Sequence, residues 1–318
     1  MPLPTGDIIG ILSDNLRLRG SVLPISKKAA SGWAQKLDLP RGGETVLYSG
    51  QMIQLIPYIE GLVKWEERLG DSFLARFTPL GRLANRFINL SAFMARPTKR
   101  TRAPYDRVLS DVAGLLQRSG VEFGYLYEDD LYTGALTWDL GADEVVAAHA
   151  RRVYRKLKEH GVERVITIDP HTTNMLRSVY PKLIDGYELK VSSYLEVLAE
   201  RGLQLQSSLS GEVALHDSCV FARFENVIEQ PRALLDQTGL IVREPEHSGR
   251  YTWCCGGPAE SLFPKKALAQ AQRRVEQLRA VAPEAVTMCP LCLVNLQKAA
   301  GETMSVHDIS HYLTQASS

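Results

Sequence analysis

The sequence predicts an α/β protein: two tandem, pseudo-symmetric α/β units of the cysteine-rich type with small parallel sheets, an N-terminal arm and a helical insert. Two observations carry this reading. Each half contains the same succession: a helical stretch rich in Ala, Arg and Lys (Ala147 to His160; Lys265 to Ala280), then a β-branched strand (Arg164 to Ile168; Ala285 to Thr287), then a proline turn (Asp169-Pro170-His171-Thr172; Cys289-Pro290-Leu291-Cys292). An internal repeat of that length argues for two stacked α/β units. The second observation is the placing of the five cysteines: Cys219, Cys254, Cys255, Cys289 and Cys292 all lie in the second half, and the first 218 residues contain none.

Taken in order, residues 1–44 form the arm, with Gly6-Asp7-Ile8-Ile9-Gly10 and a basic amphipathic stretch through Arg17, Arg19, Lys27 and Lys28. It reads as a cover over the sheet, or as a docking segment for another subunit. Residues 45–205 form the first unit, interrupted by an insert over about 64–105 in which Phe73, Phe77, Leu80, Leu83, Phe87, Leu90 and Phe93 recur at helical spacing. Such a stripe means core. The insert ends in a basic loop, Pro97 to Arg102, which gives a second reading as a partner or membrane-surface contact, because loops and inserts carry function. Asp169, His171, Thr172 and Thr173 read as a helix start, with Thr172 or Thr173 capping a helix through Asn174 to Tyr180. The alternative is a wall of a pocket beyond the strand C-termini, where open α/β sheets bind ligands. Residues 206–318 form the second unit.

The cysteines form one pattern: Cys219, thirty-four residues, Cys254-Cys255-Gly256-Gly257-Pro258, thirty residues, Cys289-Pro290-Leu291-Cys292. Structural zinc takes four ligands, usually as two short pairs, and only Cys289/Cys292 makes such a pair. A disulfide framework suits a small secreted chain with an even count, whereas this count is odd and no apolar signal stretch follows Met1. Iron–sulfur clusters take thiolates together with backbone N–H groups, which favours cysteines beside glycine. Zinc on four of the five thiols, in a structural or assembly subunit, remains the alternative. A thiol-exchange role for Cys289/Cys292 would leave the other three unexplained.

The spacing, the Cys-Cys-Gly-Gly-Pro run and the Cys-Pro-Leu-Cys ending resemble the cysteine-rich (CCG) domain of the heterodisulfide reductase B/D subunits, over about residues 211–313. Related domains occur in iron–sulfur subunits of glycolate and lactate oxidation systems. The resemblance implies that Cys219, Cys254, Cys255, Cys289 and Cys292 hold a noncubane 4Fe-4S cluster that meets a disulfide, or passes electrons toward a quinone pool. It also implies that the first half is a degenerate copy. There Val46 to Gly50 stands for Ala214 to Cys219, Tyr132-Thr133-Gly134 for Cys254-Cys255-Gly256, and Asp169 to Thr172 for Cys289 to Cys292, with every ligand place lost. By adjacency, His216, Asp217, Trp253 and the N–H groups of Gly256 and Gly257 are candidates to tune such a cluster, each with a plainer reading as strand end or core filler.

Hydrophobic residues make up 45% and charged residues 23%, with net charge +1, so no nucleic-acid or other strongly charged partner is expected. The longest apolar stretches, such as Phe87 to Ala95, are too short to span a bilayer. The expected place is the cytoplasm, peripheral on the membrane face through a partner. No ferredoxin-type cysteine run, Gly-x-Gly-x-x-Gly after a strand, or P-loop is present. Partner oxidoreductase subunits with flavin or ferredoxin-type clusters are therefore implied, because one cluster passes single electrons while disulfides and quinones take two.

Overall fold

The computed structural model describes residues 5–23, 25–69 and 97–317. Its first half runs α1 (Thr5–Arg19), β1 (Thr45–Tyr48), α2 (Met52–Leu69), α3 (Lys99–Arg118), β2 (Gly124–Tyr125), α4 (Asp143–Glu159), β3 (Arg164–Thr167), α5 (Pro170–Asn174), β4 (Lys190–Ser193) and α6 (Tyr194–Arg201). The second half runs β5 (Glu212–His216), α7 (Glu229–Gln237), β6 (Ile241–Arg243), α8 (Pro264–Arg279), β7 (Glu284–Thr287), α9 (Pro290–Ala300), β8 (Ser305–Asp308) and α10 (Ile309–Ala316). Both sheets have four parallel strands in the same order, β2-β1-β3-β4 and β6-β5-β7-β8. The expected tandem α/β architecture is what the chain adopts.

Its elements follow from local chemistry. The central strands are short β-branched runs buried on both faces, as parallel strands between helix layers are; Val46, Leu47, Val213, Ala214, Leu215 and Val286 are all in the core. Helix α4 opens on Asp143 and Glu144 and closes on Lys156 and Lys158, which complements its dipole. It buries Val146, His149, Ala150, Val153 and Leu157, one stripe at helical spacing. Helix α8 repeats the design with Ala267, Ala271, Val275 and Leu278, but places Arg274 on the same buried stripe.

Strand register relates the halves residue by residue. Tyr48 pairs with Thr167 and Thr167 with Ser193; in the second sheet His216 pairs with Thr287 and Thr287 with Asp308. Two residues beyond each threonine, Asp169 and Cys289 precede a proline and start α5 and α9, both at φ −129°. Counting on from Tyr48 and His216, Gln51 falls at the place of Cys219, one residue past the segment Val46 to Gly50 expected there. Gly134 and Gly256 both adopt left-handed backbone, at φ 91° and 82°.

Several expectations are corrected. The cap of α5 is Asp169, whose carboxylate accepts from the N–H groups of His171 and Thr172 at 2.9 and 3.0 Å, so neither Thr172 nor Thr173 is the cap. Past Asn174 the helix widens into a π turn over Met175–Val179 before Tyr180–Leu183, where Pro181 offers no N–H to the α ladder. The basic stretch expected as a loop is instead the first turn of α3, with Thr98 as its N-cap. The aromatic stripe from Phe73 to Phe93 lies outside the described residues. The arm contributes α1, which buries Leu16 and packs on α4.

The halves share one continuous apolar core. Helix α3 packs on α10 and α6, α6 on α7, and α5 on a second π turn, Phe221–Glu225. That last contact is polar: buried Glu225 accepts from Asn174 Nδ2 at 2.7 Å and Ser178 Oγ at 2.8 Å, with Arg177 Nε 3.7 Å away.

Candidate metal centre

The five thiols meet at the C-terminal ends of β5 and β7, where parallel α/β sheets present their sites. Cys219 follows β5 by three residues, Cys289 is the N-cap of α9, and Cys292 lies in the first turn of that helix. The N-terminus of a helix favours a thiolate. Cys254 and Cys255 arrive on the loop before α8. All five are free thiols. They are interacting neighbours in one unbroken order: Cys219, Cys254, Cys255, Cys292, Cys289.

The glycines do what the sequence predicts in part. Gly256 N–H donates to Cys254 Sγ at 3.3 Å. A Cβ on Gly256 would stand 2.7 Å from the Ala267 carbonyl oxygen of α8, and one on Gly257 would stand 3.4 Å from Cys255 Sγ. Gly257 N–H is not aimed at a sulfur. With the Asn295 amide oriented to satisfy its neighbours, Asn295 Oδ1 accepts that N–H at 3.1 Å while its Nδ2 donates to Glu260 at 3.0 Å.

As thiols the five share their protons unevenly. Hydrogen bonds from Cys219, Cys255 and the Gly256 N–H pull Cys254 far down, while Cys219 is pushed up by donating to it and by burial. Burial opposes ionisation of Cys289, yet Cys292 and His171 bring it well below the usual thiol value. Cys255 and Cys292 are raised by their thiol neighbours and by burial. The thiols thus ionise as one interacting group, because five negative charges cannot coexist here without a cation.

Two histidines face this group. His216 ends β5, fully buried, and burial together with the nearby Arg274 cation lowers its pKa to about 3, so the ring is neutral. Its Nδ1 accepts from Arg274 Nε at 3.0 Å, and its Nε2 has no protein partner. One ring nitrogen of His216 and the sulfurs of Cys255 and Cys292 lie within 4.8 Å of one another. His171 comes from the first half, at the place Leu291 holds in the second. Burial opposes a charge there, but Asp139, 3.5 Å from Nδ1, and Cys289 hold its pKa well above the usual imidazole value. The pocket-wall reading of the Asp169 to Thr173 turn is the one this contact supports.

The other candidates by adjacency do different work. Asp217 is gripped by Arg232 at 2.8 and 2.9 Å and accepts from Gly249 N–H at 2.7 Å, bracing the loop that carries Cys254. Trp253 is half-buried and packs against His247 with ring centroids 4.8 Å apart, so it is not core filler. Arg274, Asp139 and the reach of His171 to Cys289 were missed from sequence. An arginine at a position of the α8 apolar stripe was the available signal.

Residues 213–297 match the cysteine-rich CCG family over the strands, loop and helices that bring the thiols together. The second half carries a CCG domain. The EtfAB:quinone oxidoreductase of Syntrophomonas wolfei is 30% identical over 231 residues, covering 67% of this chain and 32% of that protein. A Bacillus subtilis protein named "Probable iron-sulfur-binding oxidoreductase FadF" is 28% identical over 223 residues, covering 66% of this chain and 31% of its own length. A Chromohalobacter salexigens protein named "Probable membrane-anchored ferredoxin" is 27% identical over 224 residues, 66% of this chain and 33% of that one. These alignments are longer than the CCG domain, so the likeness extends into the first half. The chain spans about a third of the length of these curated relatives. Among the described residues no helix is long and apolar enough to cross a membrane.

The donor set of the CCG domain fits an iron–sulfur cluster: five free, contiguous thiols, a backbone N–H on Cys254 Sγ, glycines where a Cβ would intrude, and an unpartnered buried ring nitrogen. A closed zinc tetrahedron would leave one thiol without a role.

Proposed function

We propose that this chain is an iron–sulfur electron-transfer subunit of a larger oxidoreductase, with Cys219, Cys254, Cys255, Cys289 and Cys292 holding one 4Fe-4S cluster, of the noncubane kind implied by the heterodisulfide reductase resemblance. The observation that carries it is the unbroken chain of five free thiols at the strand ends. Names of the relatives support the reading, since two of them are named as oxidoreductases and one of these as iron–sulfur-binding. Such a cluster would supply single-electron storage and transfer. The chain's own residues bind it, bury it on the side of Cys255, Cys289 and Cys292, and leave Cys219 and Cys254 half-buried toward the surface. Electrons are exchanged at that edge.

Of the two acceptors expected from sequence, a disulfide or a quinone-linked carrier, the quinone-linked one is favoured by the name of the Syntrophomonas relative. Partners with flavin or ferredoxin-type clusters supply the remaining redox steps, and the protein works in the cytoplasm, on the membrane face through such a partner. Residues 45–205 serve as a metal-free wall and residues 206–318 as the cluster unit.

The test is iron, acid-labile sulfide and zinc content of anaerobically purified full chain, with EPR of oxidised and reduced forms. About four iron and four sulfide per chain with a redox-active signal is the expected result. One zinc and no iron after growth with iron supplied would sink the reading and leave a structural zinc subunit. In Cys255→Ser, unchanged iron content and spectrum would remove that ligand from the assignment.

A further inference from the structure

We propose that His216 is a hydrogen-bond donor to the cluster and not one of its ligands, with its N–H aimed by Arg274. The inference rests on the cluster reading above and assigns these two residues a task within it. Distance alone suggests the opposite, because a ring nitrogen of His216 lies within 4.8 Å of the sulfurs of Cys255 and Cys292, a spacing that a single metal ion could bridge.

Proton accounting decides between the two. A guanidinium only donates. Arg274 Nε donates to His216 Nδ1 at 3.0 Å, so Nδ1 carries the lone pair. A neutral imidazole has one N–H, and it is therefore on Nε2. For Nε2 to bind iron or zinc, the proton would have to move to Nδ1, where it would confront the Arg274 N–H head-on. Metal-ligating histidines donate their other N–H to a carboxylate, carbonyl or water; here that position is filled by a donor, the wrong sign for ligation.

Arg274 is not free to turn away. It is fully buried on the apolar stripe of α8, and its Nη1 donates to His247 O at 2.9 Å and to Gln277 Oε1 at 2.9 Å. On the far side of the ring, Nε2 is buried without a protein partner. A buried N–H left without an acceptor is costly. The sulfurs of Cys255 and Cys292, within 4.8 Å of a ring nitrogen of His216, are the acceptors assigned to it here. An N–H directed at a cluster sulfur stabilises the more negative, reduced state and raises the potential. Arg274 is thus a positioning residue, acting through His216.

The first measurement is NMR of full-length, metal-free protein carrying nitrogen-labelled histidine, which reads the tautomer with no cluster present. His216 protonated at Nε2 is expected, and Arg274→Met should redistribute the proton over both nitrogens. Protonation at Nδ1 in the wild-type chain would overturn the proposal. The second measurement uses reconstituted protein. His216→Phe should keep the wild-type iron content and shift the midpoint potential to more negative values, and His216→Gln, which retains an N–H, should restore much of that shift. Loss of iron from a folded His216→Phe, or a pulsed-EPR coupling of directly bound histidine nitrogen, would make His216 a ligand and overturn the proposal. Zinc and no iron in the wild type would overturn the cluster reading itself, and with it the acceptor named here, while the tautomer measured in metal-free protein would stand.

Discussion

The imidazole of His171, carried by the first half, interacts with Cys289 in the second, and Asp139 stands 3.5 Å from its Nδ1. The half without cysteines therefore supplies part of the thiol site. In the repeat, His171 occupies the place of Leu291, so the exchange of an apolar residue for a histidine converts a packing position into a polar contact.

Copying the second half's choice tests that contact. In metal-free His171→Leu, Cys289 loses a partner that holds its pKa down, so its thiol ionises only at higher pH. Thiolate ultraviolet absorbance near neutral pH should fall relative to wild type. An unchanged thiolate count would show that His171 does not act on Cys289.

Gly256 is held at φ 82°, and a Cβ there would stand 2.7 Å from the Ala267 carbonyl and 3.0 Å from its Cα. Gly256→Ala should cost about 2 kcal/mol or more in urea unfolding of the metal-free chain, combining backbone strain with a backbone clash. Gly161→Ala, at φ 71° with nothing within 4 Å of the added carbon, should cost only about 1 kcal/mol. Equal losses at the two positions would mean that α8 yields readily and that close packing at Gly256 is unimportant.

Glu225 joins the halves through Asn174, Ser178 and Arg177. Glu225→Ala leaves those donors facing a void at a buried seam and should cost about 3 kcal/mol. Urea unfolding followed by far-ultraviolet circular dichroism reads it, and a change below about 0.5 kcal/mol would show the seam to be held by apolar packing alone.

Asp130 gives a pH dependence. Burial raises its pKa from 3.8 to about 6, although hydrogen bonds from Ser49, Tyr125 and Gly50 offset part of that. Between those values the folded chain holds a proton that the unfolded chain has lost, so this group's contribution to stability is fully present below about pH 4 and is lost as pH rises through about 6. The difference corresponds to about 3 kcal/mol at most. Asp169 and Asp308, also raised to about 6, act in the same direction. Buried His149 and His216, lowered to about 4 and about 3, act in the opposite direction. Asp130→Asn should therefore make the slope of stability between pH 4 and 6 more positive; an unaltered slope would refute the assignment.

The repeat and the five thiols were legible because each is written in local patterns: alternating helix and strand composition, and cysteine beside glycine or proline. The contacts that complete the site are long-range. Arg274 looks like a solvent-facing residue of a basic helix until its spacing from Ala267, Ala271 and Leu278 is counted. His216 and Asp217 are neighbours in sequence, yet one faces the sulfurs while the other is bound by Arg232, because consecutive residues leave a strand end in different directions. His171 was visible as part of a helix start or of a pocket wall, but nothing in the first 218 residues indicates which sulfur lies opposite. The cap on α5 was misread because Asp169 precedes proline as Cys289 does, and the carboxylate, not the threonines, inherited the thiol's place.

The unequal burial of the thiols bears on how the centre is built. Cys255, Cys289 and Cys292 are 2% exposed or less, while Cys219 and Cys254 border the surface. On the cluster reading proposed above, iron and sulfide reach the folded chain from the side of Cys219 and Cys254, or enter before the two halves close over Cys289. The order of assembly is thereby tied to folding: the wall bearing His171 is synthesised first and waits for the pocket that it will seal.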